Sequence, residues 1–513
     1  MSVANSCGRG IREIMVLHSQ RAARVSVLAM IGATAIIVAG VPFDSVSRPA
    51  AAVEGAPADL ELELVWERTL NSKAVTMGAP GVADLDGQGP SVIVTTASGM
   101  VHAMHAADGS DVAGWPYKTN KIGIASTPST WSSGDEARVF VGIGKAEART
   151  KGGYLALTNK GKKAWYRQVH LLPSSKSEIR GVMSSLAVGN LHYGADVVGG
   201  SMGQMQLAMS ARKGTTVPGF PWLQADTNFS TPALAKLRSN VDTDYIIEGG
   251  DSTAGRSYAQ TYKNGGHIRI LRASGNKGKK YPNDGLLCEY KTNQVVQSSP
   301  AVGKFLAGGK FGIVTGTGIF YKNKTDTNRI IAINAACKKQ WSVKLDSDTR
   351  SSPALADVEG NGSLDVVTIS RAGTVYALNA TNGKTLWKRA LGGVTYGSAT
   401  TFASPDGSFQ YVLAPLQKGL YVLDGRDGSI VTKVGSMRLW SSATVTRDPD
   451  GSIGITIAGG SGRTAAGDLA ANIEHYRVVG SNVETIDTPG SWPMFHHDPQ
   501  LTGYSDDPLV AQE

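Results

Sequence analysis

Residues 349–389, TRSSPALADVEGNGSLDVVTISRAGTVYALNATNGKTLWKR, decide the fold. This stretch contains four short runs of small, β-branched or aromatic residues, separated by turns that contain glycine. The runs span residues 352–356, 365–370, 374–379 and 384–390. They predict one small antiparallel sheet, and a four-stranded sheet of about 40 residues cannot cover both of its faces alone. Copies must therefore stack, and this period predicts a β-propeller.

The same unit recurs along the chain and can be counted by its opening run of small residues. The eight opening runs begin at Met77, Ala125, Met183, Ser230, Ser298, Ser351, Gly397 and Ser441. We expect these runs to line a narrow central channel, where only small side chains fit. The closing strands lie where neighbouring sheets splay apart, and they carry large residues. Their tryptophans are Trp66, Trp165, Trp341 and Trp387.

The two ends of the repeat region are complementary. The last unit, at about residues 439–486, has no closing strand with a tryptophan, whereas residues 61–70 read as a closing strand without a unit. Pairing the two would close the ring and hide an exposed sheet edge. The sequence therefore predicts an all-β, eight-bladed propeller closed by its N-terminal strand. A seven-bladed ring is the alternative, because the unit at 183–222 has the weakest signature.

The N-terminus has the order of an export signal. A head with Arg9, Arg12, Arg21 and Arg24 precedes an apolar run at 25–41, and Ala50 to Ala52 form a small-residue cleavage site. An uncleaved signal anchor is the alternative reading. We expect residues 1–52 to be the signal, 53–60 a linker, 61–490 the propeller, and 491–513 a capping segment with a tail. The protein is then secreted or at the cell surface, and the membrane is touched only through residues 1–52.

Charge excludes one class of function. The net charge is +9, and about +6 remains without residues 1–52. No arginine-rich helix or basic stripe interleaved with aromatic residues is present, so no nucleic-acid partner is expected. The densest basic patch, Arg269, Arg272, Lys277, Lys279 and Lys280, is interpreted as a solvated hairpin tip. We expect a monomer.

Two cysteines follow the predicted signal, Cys288 and Cys337. They occupy comparable places in successive repeats, and an oxidising compartment would allow them to form a disulfide. The sequence leaves the free and bridged states open, because it does not give the distance between the Cα atoms.

These residues resemble known repeats. The stretch SSPALADVEGNGSLDVVTISRAGTVYALNATNGKTLWK resembles the quinoprotein-like (PQQ-like) propeller repeat, and residues 79–117 are similar to the FG-GAP or VCBS-type repeat of exported bacterial proteins. The segment SWPMFHHDPQLTGY at 491–504 resembles one that recurs in those proteins. The resemblance implies the fold over nearly all of the mature chain. It implies little about activity, because the fold hosts enzymes, assembly factors and adhesins.

One loop has the spacing of calcium ligands. Asp357, Glu359, Asn361, Ser363 and Asp365 place oxygens at positions one, three, five, seven and nine, with Gly362 at position six for the tight turn. The FG-GAP resemblance implies the same role. The alternative is a hairpin turn without a metal, since position twelve is Thr368 and not a bidentate Glu. Asp84 and Asp86 begin a weaker copy of the loop.

The quinone-dependent dehydrogenase reading lacks its residues. In that family, the resemblance implies a disulfide between neighbouring cysteines above the cofactor, and this chain has no adjacent cysteines. PQQ is therefore not expected. No local motif of a hydrolase, metalloprotease or nucleotide-binding loop is present in the repeat region. His496, His497 and Asp498 form one dense titratable cluster, but we interpret their segment as a cap in which Trp492 and Phe495 pack on the propeller.

The sequence thus predicts an exported propeller without identifiable catalytic residues. It would act as a binding or scaffolding module for a protein or polysaccharide ligand. The expected surfaces are the channel mouth and four inserted loops, at 144–153, 200–214, 253–266 and 320–328. A polysaccharide lyase or hydrolase on the same ring is the alternative, because carboxylate pairs are assembled from distant loops and leave no local spacing.

Overall fold

The computed structural model describes residues 60–146, 151–169, 171, 179–224, 226, 228–238, 240–252, 265–276, 285–322, 324–480 and 491–505. The predicted export signal, and the predicted linker except Leu60, lie outside these residues. Glu61–Glu513 form one compact unit. In the described ranges the chain contains strands and no helix, and thus no helix long and apolar enough to cross a membrane.

The strands form eight sheets, which we number as blades 1 to 8 in chain order of their innermost strands. Blade 1 contains β2 (Gly81–Asp84), β3 (Pro90–Thr95), β4 (Met100–His105) and β5 (Tyr117–Lys118). Blade 2 contains β6 (Ser129–Ser133), β7 (Glu136–Ile143), β8 (Gly153–Thr158) and β9 (Lys163–Gln168). Blade 3 contains β10 (Ala187–Gly189), β11 (Asp196–Gly200), β12 (Met205–Ser210) and β13 (Trp222–Leu223). Blade 4 contains β14 (Ala233–Ala235), β15 (Tyr245–Ser252), β16 (Gly265–Arg272) and β17 (Leu286–Thr292), with β33 (Tyr504–Ser505) parallel to β14.

The second half of the ring repeats this plan. Blade 5 contains β18 (Ala301–Leu306), β19 (Lys310–Gly316), β20 (Arg329–Asn334) and β21 (Lys339–Lys344). Blade 6 contains β22 (Ala354–Ala356), β23 (Asp365–Ile369), β24 (Thr374–Asn379) and β25 (Thr385–Ala390). Blade 7 contains β26 (Thr400–Ala403), β27 (Gln410–Leu416), β28 (Gly419–Asp424) and β29 (Ile430–Val434). Blade 8 contains β30 (Thr444–Arg447), β31 (Ile453–Arg463), β32 (Leu469–Val478) and β1 (Leu62–Lys73).

The N-terminal strand completes the last blade, as the sequence predicts. β1 pairs antiparallel with β32, from Leu62 opposite Val478 to Lys73 opposite Ala470. The outer edge of β32 is thereby covered, and the first and last parts of the repeat region share one sheet. The eight-bladed prediction is confirmed, and the seven-bladed alternative is wrong.

Tryptophans of the outer strands join neighbouring blades. Each indole Nε1 donates a hydrogen bond to a backbone oxygen of the next blade, as Trp341 does to Ala380 at 2.8 Å. The ring also covers a glycine three residues further on: Gly383 has φ +75°, and a Cβ there would lie 2.7 Å from the indole of Trp341. The other pairs are Trp66 with Ala106 and Gly109, Trp165 with Ala211 and Gly214, and Trp387 with Gly425 and Gly428.

Two local predictions are wrong. The stretch 200–214 is not an inserted loop, because its alternating residues form β12, which pairs with β11 from Gln206 to Ser210. Arg269 of the predicted basic patch does not lie on a solvated hairpin tip, and Lys277, Lys279 and Lys280 of that patch lie outside the described residues. It is on β16 with 0% of its surface exposed, and its guanidinium contacts Glu289 at 2.7 Å. The sequence alone does not distinguish an arginine that has a buried acidic partner from an exposed one.

Candidate binding site at the channel mouth

A ring of hydroxyl groups surrounds the central channel. In each blade the residue just before the Pro, Leu or Ala of the opening run faces the axis, and in seven of the eight blades its backbone N–H donates to the hydroxyl of the next blade. Seven such bonds of 2.8–3.1 Å run from Ala79 to Thr127 and onwards to Ser442. We call their acceptors the hydroxyl ring: Thr127, Ser185, Thr231, Ser299, Ser352, Ser398 and Ser442. Blade 1 has Ala79 at this place, so the ring lacks its eighth hydroxyl.

The small residues of the opening runs therefore have a second cause besides the narrow channel. A Ser or Thr hydroxyl reaches the backbone of the preceding blade and satisfies a donor that no ladder partner reaches. The sequence showed the small size of these residues, but their hydrogen-bond partners lie 44 to 68 residues away and only the closed ring brings them together.

Residues 491–505, which we call the C-terminal strap, lie against the inner strands at one end of the channel. Trp492 exchanges two backbone hydrogen bonds with Leu355 of blade 6. Backbone carbonyls of the strap then accept N–H bonds from five further blades of the ring. The donors are Thr401 of blade 7, Val82 of blade 1, Thr130 of blade 2, Val188 of blade 3 and Leu234 of blade 4.

The blade residues that donate to the strap share one position. Each lies three residues after the ring position of its blade. At this depth the innermost strands have an unpaired edge, and an extended segment can satisfy it as an added strand would. Trp492 is 1% exposed. His496 is also buried, and burial lowers its pKa to about 4. The cluster of His496, His497 and Asp498 is thus part of a segment packed inside the ring.

A rim of larger side chains lies towards the opposite end. These residues precede the ring positions by two, so on extended backbone they share the same face. We call them the rim layer: Met77, Ala125, Met183, Phe229, Gln297, Arg350, Tyr396 and Trp440. Five of the eight are methionine or aromatic, and Met77 is exposed while the other seven are half-buried.

The rim layer, the hydroxyl ring and the strap enclose a cavity of about 60 Å³ on the axis. Seven rim residues and all seven ring hydroxyls line it, and Phe495 of the strap contributes from below. Such a volume holds a few water molecules or a small polar group. The channel thus ends in a shallow polar hole behind a largely apolar rim.

Acidic groups lie behind one side of the rim. Asp251 accepts a hydrogen bond from the side-chain amide of Gln297 at 3.0 Å. Burial, together with the charge of Asp226, raises the pKa of Asp251 to about 7, although Gln297 and Arg350 oppose the shift. Burial and the charges of Asp251 and Asp226 raise the pKa of Tyr321 as well. Sequence reasoning missed this group, because its members come from three different blades.

Blade 4 contains a buried polar cluster next to this site. Glu248, His267 and Arg269 have no exposed surface, and the side chain of Gln224 donates to the carboxylate of Glu248. Burial raises the pKa of Glu248 to about 8, and the charge of Glu289 adds to the effect, while Arg269 opposes it.

The predicted calcium loop forms a tight turn. Asp357 accepts the backbone N–H groups of Asn361 at 2.9 Å and Gly362 at 2.6 Å, and Asn361 donates to Glu359 at 2.9 Å. Ser363 donates its backbone N–H to Asn361. Asp365 begins β23 and is fully buried; burial and the charges of Glu359 and Asp357 raise its pKa to about 7. Among the described residues, no three His, Cys, Asp or Glu side chains converge as metal ligands.

The remaining predicted features are distributed as follows. Cys288 and Cys337 form a disulfide with their Cα atoms 5.8 Å apart, which links β17, the outermost strand of blade 4, to the turn after β20 of blade 5. It cannot cover a cofactor in the channel from there.

Of the predicted loops, 147–150 and 253–264 lie outside the described residues, whereas Tyr321 of the loop at 320–328 lies by the acidic group at the rim.

Comparisons with known proteins agree with this architecture. Residues 292–484 match the profile of a PQQ-type repeat family described as outer membrane protein assembly factor BamB. No curated protein sequence matches the chain. Among solved structures, BamB from Moraxella catarrhalis is 14% identical, with a TM-score of 0.50 over 81% of this chain and 100% of its own.

Two quinohemoprotein alcohol dehydrogenases have the same fold. The enzyme from Comamonas testosteroni is 13% identical, with a TM-score of 0.56 over 83% of this chain and 77% of its own. The enzyme ADHIIG from Pseudomonas putida HK5 is 13% identical, with a TM-score of 0.54 over 83% and 78%. The protein thus has the β-propeller fold that these enzymes also have.

Proposed function

We propose that this protein is an exported, non-catalytic propeller that acts as a binding or scaffolding module through the mouth of its channel. The observation that carries the proposal is the asymmetry of the channel. One end is occupied by the protein's own C-terminal strap, whereas the other presents the rim layer. A methionine-rich and aromatic rim is adaptable and apolar, as recognition surfaces are.

The resemblance to an assembly factor supports a scaffolding role, and a rigid ring that carries its contacts at one end suits it. The two rival functions, a quinone-dependent dehydrogenase and a polysaccharide-cleaving enzyme, have no comparable site among the described residues. In the described chain, the disulfide joins Cys288 to Cys337 at the outer edge of blade 4 and is not the bridge between neighbouring cysteines that the quinoprotein resemblance implies. The acidic group at the rim, Asp226 and Asp251, is the place where a polysaccharide-cleaving activity would have to be sought.

Site-specific photocrosslinking in the producing cells tests the proposal. A photoreactive amino acid at Met77 or Trp440 should give a small set of defined adducts. The matched control is Ser132, which is exposed on β6 of blade 2 and outside the rim layer, and it should not give that set. The purified protein should release no reducing ends from polysaccharides and reduce no dye with alcohols. Turnover of a polysaccharide or an alcohol that Asp251→Asn abolishes would refute the proposal. Equal adducts from the rim positions and from Ser132 would also refute it.

A further inference from the structure

Arg350 is a cation without a protein acceptor at the mouth of the channel. Its guanidinium lies over the ring of Tyr396, 5.4 Å from the centroid, and its side chain lines the axial cavity. Within the described part of the chain it donates no hydrogen bond and forms no ion pair. Partly buried Arg371 and fully buried Arg269 are both paired: Arg371 contacts Asp348 at 2.8 Å and Arg269 contacts Glu289 at 2.7 Å. Five N–H donors in a fixed fork are thus available to a ligand.

The hydroxyl ring supplies more donors below Arg350. Each of its seven oxygens accepts a backbone N–H, yet in the described structure none of the seven donates its own proton to a protein acceptor. A hydroxyl that accepts one hydrogen bond is polarised and becomes a better donor. The hydroxyl ring therefore offers seven donors to the cavity, and the cation lies at its entrance.

The acidic group does not neutralise this entrance. Asp251 is the carboxylate whose charge acts on Arg350, but the two do not form an ion pair, and Gln297 holds Asp251 by a 3.0 Å hydrogen bond. With a pKa of about 7, Asp251 holds its proton over part of the neutral range. A ligand carboxylate would therefore face less competition for Arg350 than it would beside a fully ionised Asp251.

We propose that the channel mouth binds the carboxylate group of a ligand that has an apolar or aromatic body. Arg350 and the hydroxyl ring receive the carboxylate, and the rim layer contacts the body through Phe229, Tyr396 and Met183. A planar guanidinium fits a carboxylate in a bidentate arrangement. The proposal rests on the proposed function and names the chemistry that its binding surface selects.

Titration calorimetry on the full chain tests it with paired probes. N-acetylphenylalanine should bind, and N-acetylphenylalanine amide should bind at least tenfold more weakly, because charge-assisted hydrogen bonds are lost. A hexapeptide ending in phenylalanine, with a free or an amidated C-terminus, separates the two sources of a carboxylate. Preference for the peptide acid indicates a chain terminus, and equal affinity of both acids indicates a small molecule.

Arg350→Gln should abolish the discrimination between acid and amide, and Arg350→Lys should keep part of it. Thermal unfolding should change little, because Arg350 has no hydrogen bond or ion pair to lose and only its contact with the ring of Tyr396 is removed. The matched control is Arg447→Gln, an exposed arginine on blade 8 that donates to Gly451, and it should behave as wild type. Equal binding of acid and amide to the wild type, or discrimination that survives Arg350→Gln, would overturn the inference. If the inference is overturned but photocrosslinks from the rim layer are still obtained, the proposed function stands without the carboxylate site.

Discussion

The backbone N–H of Ser352 donates a 2.8 Å hydrogen bond to Oγ of Ser398, the residue at the equivalent place one blade further round the ring. Both residues are buried, with 3% and 2% of their surfaces exposed. The bond joins blades 6 and 7 at the axis, while Trp387 joins the same blades at the outer edge through its bond to Gly425. Where a blade pair has both residues, it is thus joined twice: by a hydroxyl of the hydroxyl ring near the axis and by a tryptophan at the outer edge.

Ser398→Ala should destabilise the ring. The N–H of Ser352 would be left buried without an acceptor, which costs about 1–3 kcal/mol of the free energy of unfolding. Urea unfolding followed by tryptophan fluorescence measures the change. Ser132→Ala is the control, because Ser132 is exposed and should be neutral within about 0.5 kcal/mol. An equal loss in both variants would contradict a structural role for the hydroxyl ring.

Ala79→Ser should complete the ring. Ser442 is the only ring residue whose successor, Ala79 of blade 1, lacks a hydroxyl, and Ala79 is 1% exposed. A serine hydroxyl there would accept the N–H of Ser442, which should stabilise the protein by about 0.5–1.5 kcal/mol. Ala83→Ser on the neighbouring strand β2 lies in an apolar cluster and should destabilise instead. The two changes are compared by the same unfolding assay, and a loss in both would refute the expected pairing.

A chain ending at residue 490 should unfold more easily. It lacks the strap and exposes six backbone N–H groups of the inner strands that the strap now accepts. At about 0.5–1.5 kcal/mol per bond, the expected loss is on the order of 3–9 kcal/mol. The control ends at residue 505 and keeps the strap. A synthetic peptide of residues 491–505 should restore part of the lost stability, and a truncation without effect would show that the strap is dispensable.

Glu248 should make stability fall as pH rises. Its pKa is raised from 4.5 to about 8 in the folded protein, so between these values the folded state holds a proton that the unfolded state has released. The contribution is full below pH 4.5 and is lost as pH rises through 8, by up to about 1.4 kcal/mol per pH unit. Glu248→Gln should flatten the profile measured by urea unfolding from pH 5 to 8.5.

The control for this profile is Glu63→Gln, on the exposed face of β1. Its profile should follow that of the wild type. Buried Asp251 and Asp365 also have raised pKa values, of about 7, so a residual slope should remain in Glu248→Gln and become shallower when Asp251→Asn is added. An unchanged slope in Glu248→Gln would show that Glu248 is ionised in the folded protein.

Calcium binding by residues 357–365 is retained as a proposal. Burial and the charges of Glu359 and Asp357 raise the pKa of Asp365, and a cation at the turn would offset these clustered charges. We expect calcium to raise the melting temperature, EGTA to reverse the rise, and Asp365→Asn to remove the response. Asp427→Asn, in an exposed turn of blade 7, should still respond. A melting temperature that is the same in calcium and in EGTA would withdraw the site.

The sequence by itself determined the architecture. The small-residue runs, the tryptophans at closing positions and the unpaired strand at 61–70 were enough for eight blades closed by β1, because each follows from the local fit of a strand in a tapered sheet. Within the quoted unit, the predicted runs agree with β22 to β25 to within two residues at each end.

Tertiary structure alone decided what faces the channel. The hydroxyl ring, the rim layer and the acidic group combine one or two residues from each of several blades, so their spacing in the chain reflects loop lengths and carries no local signature. The burial of Arg269 and the isolation of Arg350 were hidden for the same reason. An arginine's environment depends on which strands the closed ring places around it, and that is a property of the whole circle of blades.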